Sequence, residues 1–183
     1  ADVNGDLTWT KLGDLPYSQR MLSGYTTDGK RYIYTVGGQA GANDDTTAVG
    51  EIWKFDTEES VYANAWTKVL DDNVNLRKNV SGCVTYFNDK IEIVSGGKYM
   101  NPGTFTFDEK RFSFNVNDLT LTEYDLPWAG VQYPSTFVFE DKLYCLLGSA
   151  EGVDSPGNGD GGTAEMRYIR CRRHLCQICS QRI

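Results

Sequence analysis

The chain has 183 residues, 40% of them hydrophobic and 13% aromatic, with 19 glycines; that suits one domain with a sizeable core, built of many short strands and tight turns. No stretch approaches the roughly 18 consecutive apolar residues of a membrane-spanning helix, so none is expected. The net charge is −7, yet residues 167–183 hold five arginines and no acid, leaving 13 basic against 25 acidic side chains before them, a balance that repels phosphate backbones and argues against nucleic-acid partners.

In chain order, Trp9 in Leu7-Thr8-Trp9-Thr10 marks an opening strand. A unit follows with strands predicted at about Leu22–Thr27, Arg31–Val36, Glu51–Phe55 and Ala65–Val69. The unit then recurs. Asp28 to Gly38 lines up with Phe87 to Gly97 and with Phe139 to Ser149, each a turn, a basic residue, a short apolar strand and a small pair, with steps of 59 and 52 residues. Glu51-Ile52-Trp53-Lys54-Phe55-Asp56 matches Lys110-Arg111-Phe112-Ser113-Phe114-Asn115 at 59 residues, and more weakly Glu165-Met166-Arg167-Tyr168. Trp9, Trp66 and Tyr124 close the units at steps of 57 and 58. Three markers with one shared period predict four antiparallel strands per unit of about 50 residues, the pattern of a β-propeller blade.

The Gly37-Gly38 and Gly96-Gly97 pairs, the basic-apolar strand before each, and the spaced Trp53 and Trp66 resemble the kelch repeat family over about residues 7–170. The resemblance implies an all-β, kelch-type β-propeller, partial or truncated, with four-stranded antiparallel blades. Its segment would be 1–170, with the opening strand and blades at about 20–70, 78–126 and 132–170. Glycine pairs would let inner strands crowd together, and the large aromatics of the third and fourth strands would fill the wider gaps between blades. Gly148-Ser149 and Tyr124 depart from the pattern and make the third unit a degenerate copy. The family contains partner-binding scaffolds, ubiquitin-ligase adaptors, sugar-processing enzymes and copper oxidases, so the resemblance carries fold better than function.

Two units are complete, and the third supplies its first three strands; the opening strand could complete it. Three blades fall below the usual four to eight, so a fragment of a larger propeller or a truncated product is expected, with self-association into a fuller ring as an alternative. After Tyr168 the composition changes, and 171–183 reads as a basic, Cys-rich tail outside the propeller. A metal reading of Cys171, His174, Cys176 and Cys179 as zinc ligands is the weak alternative, because structural zinc sites usually separate their ligand pairs by a longer loop.

Catalytic candidates are lacking, and the reading leans away from an enzyme. His174 is the sole histidine and lies in that tail, which removes a His-based triad or His-rich metal centre from the repeats. Within the family resemblance, the copper radical oxidases need histidine and tyrosine ligands. The iron-dependent specifier proteins of plants need an acidic and histidine cluster, and Glu51 and Asp56 lack a following histidine. No phosphate-binding motif occurs, and no cofactor is expected. Cys83 and Cys145 read as small buried thiols on inner strands, and Asn79-Val80-Ser81 is a glycosylation candidate. The Ala1–Asp6 start fits a processed end or an arbitrary boundary, so secreted and cytoplasmic locations both stay open.

The loops remain. The first loop between second and third strands, 39–47, carries Asp44 and Asp45; its third counterpart, 150–162, carries Glu151, Asp154 and Asp160. The loops entering each unit present Arg20, then Arg77 and Lys78, then Gln132 and Tyr133. In the propeller fold these two loop sets share one face, and mixed charges on a common rim suit a protein or peptide. The function expected is a non-catalytic binding scaffold for a protein or peptide. The alternatives are a carbohydrate-binding or carbohydrate-active propeller and a fragment without independent function. Ca²⁺ in the acidic loops lacks a spaced ligand series.

Overall fold

A computed structural model describes residues 11, 14–17, 20, 23–39, 47–76, 83–100, 104–107, 110–126, 131–132, 135–146, 149–150, 166–172 and 175–181, with backbone alone for 97–100, 104–107, 131–132, 149–150, 166–172 and 175–181. The chain folds as an all-β molecule, with a 3-10 turn at Tyr62–Asn64. No helix among them is long and apolar enough to cross a membrane.

Strands β1 (Gly24–Thr27), β2 (Tyr32–Val36), β3 (Glu51–Asp56) and β4 (Trp66–Asp71) form sheet I in that order. Sheet II begins with β5 (Cys83–Phe87) and β6 (Lys90–Val94); the chain then makes a separate ribbon, β7 (Gly97–Met100) and β8 (Thr104–Phe107), before returning as β9 (Lys110–Asn115) and β10 (Leu121–Asp125). A short β11 (Val131–Gln132) precedes β12 (Ser135–Phe139) and β13 (Lys142–Leu146); β14 (Ser149–Ala150), β15 (Met166–Arg172) and β16 (Leu175–Gln181) follow. Sheet III is β12, β13, β15 and β16, and β14 pairs back on β11. Each four-stranded sheet is antiparallel throughout.

The hairpins that open the sheets differ. Asn88 and Asp89 (φ 51° and 58°) and Glu140 and Asp141 (φ 47° and 55°) make two-residue turns with both φ positive, the geometry that matches strand twist. Sheet I uses a longer turn, in which Asp28 Oδ1 accepts N–H bonds from Lys30, Arg31 and Tyr32 at 2.9 Å each.

The repeat is real in the backbone, with one correction. Gly37 N and Ser95 N donate to the first residue of the third strand, Glu51 O and Lys110 O, at 2.8 and 3.0 Å. Gly37-Gly38 takes φ of 62° and 107°, and Ser95-Gly96 takes 54° and 106°. Gly37-Gly38 is therefore equivalent to Ser95-Gly96, one residue earlier than the glycine pairs suggested, and Gly97 instead opens β7.

The sheets pack face to face. Tyr34, Val36, Ile52 and Leu76 meet Ile91, Ile93, Phe112 and Phe114 in one buried cluster between sheets I and II. Phe87, Val94, Leu126, Leu143 and Cys145 form a second, between sheets II and III. Each fully buried Ile or Phe here stabilises the fold by about 1.5–3 kcal/mol. The first strands also touch: β1 lies against β5, and β5 against β12. Small polar side chains make that approach. Tyr86 N donates to Thr26 Oγ1 at 2.8 Å, Thr136 N to Cys83 Sγ at 2.9 Å, and the Thr85 and Thr136 hydroxyls are hydrogen-bonded. Cys83 thus acts as a hydrogen-bond acceptor on an edge strand of sheet II, and Cys145 is buried.

The third unit departs from expectation. Residues 171–183 are not a separate tail over their described part: Cys171 and Arg172 end β15, and Leu175–Gln181 is the outer strand of sheet III, in register from Met166↔Gln181 to Arg172↔Leu175. Basic and cysteine side chains disguised this segment, but an outer strand needs only one ladder of backbone bonds. The outer position is therefore filled from the same unit rather than by the opening strand; residues 7–10 lie outside the described residues.

Candidate binding rim

At one end of sheets I and III, the connection entering the first strand comes beside the connection joining the second strand to the third. In sheet I the link is ionic. Arg20, ahead of β1, places Nη2 2.7 Å from Glu51 Oε2 at the start of β3, with both side chains largely buried. The Arg20 guanidinium lies 4.3 Å from the Tyr17 ring centroid. Tyr17 in turn packs on Trp53 and Trp66 and donates its hydroxyl to Thr35 Oγ1 at 2.8 Å. Burial raises the Tyr17 pKa.

Glu51 is the centre of this cluster. Trp53 Nε1 donates to its Oε2 at 3.0 Å, and Lys68 Nζ sits 2.6 Å from Oε1 and 3.0 Å from Asp71 Oδ2. Burial pushes the Glu51 carboxyl up, but hydrogen bonds from Lys68, Trp53 and Arg20 outweigh it and bring the pKa down to about 2. Glu51 is thus a fixed anion that ties two loops, two tryptophan-bearing strands and a lysine together. Gly38 stands at the same seam with φ 107°; a Cβ there would collide with Ser23 Oγ and touch Arg20 Cβ at 3.0 Å. Only glycine fits both the dihedral and the space.

In sheet III the same two connections are joined by backbone. β11 and β14 pair antiparallel, with Val131 opposite Ala150 and Gln132 opposite Ser149. In sheet II the connection between second and third strands is itself ordered as the β7–β8 ribbon, with Gly97 opposite Phe107 and Met100 opposite Thr104. The sequence reading passed over this ribbon, although Asn101-Pro102-Gly103 between alternating residues is a turn signal.

Of the residues expected on the rim, Arg20 is there but committed to Glu51 rather than presented to solvent, and Gln132 sits in β11. Asp44, Asp45, Arg77, Lys78, Tyr133, Glu151, Asp154 and Asp160, and the glycosylation candidate Asn79, lie outside the described residues. Of the residues of the zinc alternative, Cys171 is opposite Cys176 and Cys179 is opposite Tyr168 in the backbone ladder of β15 and β16. His174 is outside the described residues. Among the described residues no group of three or more His, Cys, Asp or Glu is placed to hold a metal.

A second charged site was not anticipated. Glu92 and Arg111 are buried side by side on the face of sheet II toward sheet III, 3.6 Å apart. Ser113 Oγ donates to Glu92 Oε1 at 2.8 Å, and Arg111 stacks 4.4 Å from the Tyr124 centroid, but Glu92 Oε2 and Arg111 Nη1 have no hydrogen-bond partner. Burial raises the Glu92 pKa despite Arg111 and Ser113.

No family model matches the chain, and no curated protein does. Among solved structures it is similar to one described as "Structure of YjhT", with a TM-score of 0.70 and 13% identity, over 93% of this chain and 48% of that one. The chain spans about half the length of the structure it matches. At that identity the likeness is one of fold alone, an all-β architecture of four-stranded antiparallel sheets.

Proposed function

We propose that the three sheets are blades of a kelch-type β-propeller and that the loop rim is a non-catalytic recognition surface for a protein or peptide. The observation that carries the reading is the tying of entering loops to second-to-third-strand loops at one end, by Arg20–Glu51 in sheet I and by β11–β14 in sheet III. Such ties hold exposed loops in one arrangement before a ligand arrives, which lowers the ordering cost of binding. The β7–β8 ribbon adds strand edges of the kind that accept an extended peptide by backbone hydrogen bonds. The shared period, the contact of first strands β1, β5 and β12, and side-by-side packing of like sheets support the propeller part.

The test is a displayed peptide library panned against the full chain beside a glycan array. Enrichment of peptides whose binding disappears when Lys98–Thr106 is replaced by Gly-Gly supports the reading. Saturable glycan binding with no peptide enrichment contradicts it.

A further inference from the structure

At the end opposite the rim, the seam between sheets I and II carries charged and aromatic groups with no role assigned so far. β1 and β5 lie side by side there, with Tyr86 N bonded to Thr26 Oγ1 at 2.8 Å, so the turns that follow them bring Asp28 and Asp89 to the same end. Three tyrosine rings connect across the seam. Tyr32 and Tyr34 on β2 have centroids 6.4 Å apart, and Tyr34 stacks on Tyr86 of β5 at 6.1 Å and 17°. The Tyr32 end already holds the chain's own cations, with Lys54 Nζ at 4.6 Å and the Arg31 guanidinium at 5.3 Å from the ring centroid. The other end has carboxylates instead. Tyr86 donates its hydroxyl to Asp89 Oδ1 at 3.0 Å, and Asp28 Oδ1 accepts the turn N–H groups, so the second oxygen of each carboxylate has no donor among the described residues. No described basic side chain pairs with either aspartate. Tyr34 is 3% exposed, yet its hydroxyl bonds no described protein atom. Burial, and then the nearby Asp28, Tyr32 and Asp89, raise its pKa to about 12, so it stays a neutral hydroxyl.

We propose that this seam binds a primary ammonium group, carried by a small amine or by a lysine side chain of a partner protein. An ammonium presents N–H donors only and accepts nothing. The seam offers the matching acceptors, the second oxygens of Asp28 and Asp89 and the oxygen of the Tyr34 hydroxyl. A hydroxyl on so buried a side chain, beside carboxylates that lack a cation, is the group that a bound donor would satisfy. The Tyr34 and Tyr86 rings add the electron-rich surface that draws a cation, as Tyr32 already does with Lys54. A calcium ion fits poorly. It takes about six to eight oxygen ligands, and among the described residues no group of three or more His, Cys, Asp or Glu is placed together. The site lies wholly between sheets I and II, so it stands apart from the rim and from the propeller reading.

Titration of n-butylammonium and of Nα-acetyl-lysine amide into the full chain, followed by NMR of isotope-labelled tyrosine rings, tests this. The expected result is saturable shifts of the Tyr34 and Tyr86 rings, assigned with Tyr34→Phe and Tyr86→Phe, at dissociation constants on the order of millimolar. Asp28→Asn and Asp89→Asn should each weaken binding about ten-fold. Asparagine keeps the oxygen that caps the first turn and tolerates the φ of 58° at position 89. Glu59→Gln removes the same charge from the exposed turn between β3 and β4 and should leave the affinity unchanged. The uncharged n-butanol, titrated into the wild type, should shift neither ring, and this control holds even if a variant fails to fold. Tighter binding of the lysine amide assigns a protein source, and equal or tighter binding of butylammonium a small amine. Absence of a saturable shift below about 50 mM, equal weakening by Glu59→Gln, or Ca²⁺ saturating the same rings at lower concentration than either amine would each overturn the proposal.

Discussion

Glu51 and Glu92 each lie beside an arginine in successive, equivalent sheets, yet their charge states are pushed in opposite directions. Glu51 has Arg20 at 2.7 Å, Trp53 at 3.0 Å and Lys68 at 2.6 Å, and its pKa falls to about 2. Glu92 has Arg111 only at 3.6 Å, one hydroxyl donor at 2.8 Å and an orphaned oxygen, and burial raises its pKa. The location explains the difference. Glu51 starts β3 at the loop end, where side chains from three segments can reach it; Glu92 is in the middle of β6, covered by sheet III. An arginine neighbour does not itself make a carboxylate anionic. The number of donors that reach its oxygens decides.

Removing one member of the buried pair should have the largest effect. Arg111→Ala leaves Glu92 buried without its cation and should lower unfolding free energy by about 3–5 kcal/mol in urea titration. The double variant Glu92→Leu with Arg111→Met should recover most of that, because neither charge then needs solvation. A double variant as unstable as the single one would mean the pair is a net stabiliser, and the contrast with Glu51 would collapse. Next, Glu51→Ala should lose about 2–3 kcal/mol, since it strips three donors, one of them the largely buried Arg20, of their shared acceptor. Gly38→Ala follows, at about 1–3 kcal/mol, for a side chain forced into φ 107° against Ser23.

The pH dependence separates the two carboxylates by sign. A depressed carboxyl stabilises the fold above its unfolded value, so the Glu51 contribution should be lost as pH falls from 4.5 to about 2. Glu92 is raised, so its contribution is present at low pH and lost as pH rises past its folded value. Glu51→Gln should flatten the acid fall in stability, and Glu92→Gln should flatten only the opposite trend. The smallest effect belongs to the surface: Lys110, paired with Glu123 and Asp125, should change to Ala without a measurable shift in denaturation midpoint.

The sequence carried the repeat because large aromatics and tight turns recur where the sheets need them. Strands in sheet I fall within two residues of the spans expected from Leu22 to Val69. Other features were hidden, each for its own reason. Glu92 was not singled out in the sequence, and it is buried with Ile91 and Ile93 because this sheet is packed on both faces. Gly96-Gly97 looked like the counterpart of Gly37-Gly38, whereas backbone φ selects Ser95-Gly96; a serine in a left-handed position hides the equivalence. Leu175–Gln181 lacked the aromatic expected of an outer strand, and only its ladder with β15 identifies it. On the rim, Arg20 was legible as a loop residue, but its partner Glu51 is 31 positions away in sequence, and no local pattern reveals such a bond.

The most direct test of the rim as the recognition surface uses this same contrast. Affinity of a selected peptide should be measured by titration calorimetry for the wild type, for Arg20→Ala and for the Glu92→Leu with Arg111→Met double variant. Loosening the rim at Arg20 should weaken binding at least about ten-fold, while rebuilding the buried pair should leave it unchanged. Equal affinities for all three would contradict the account.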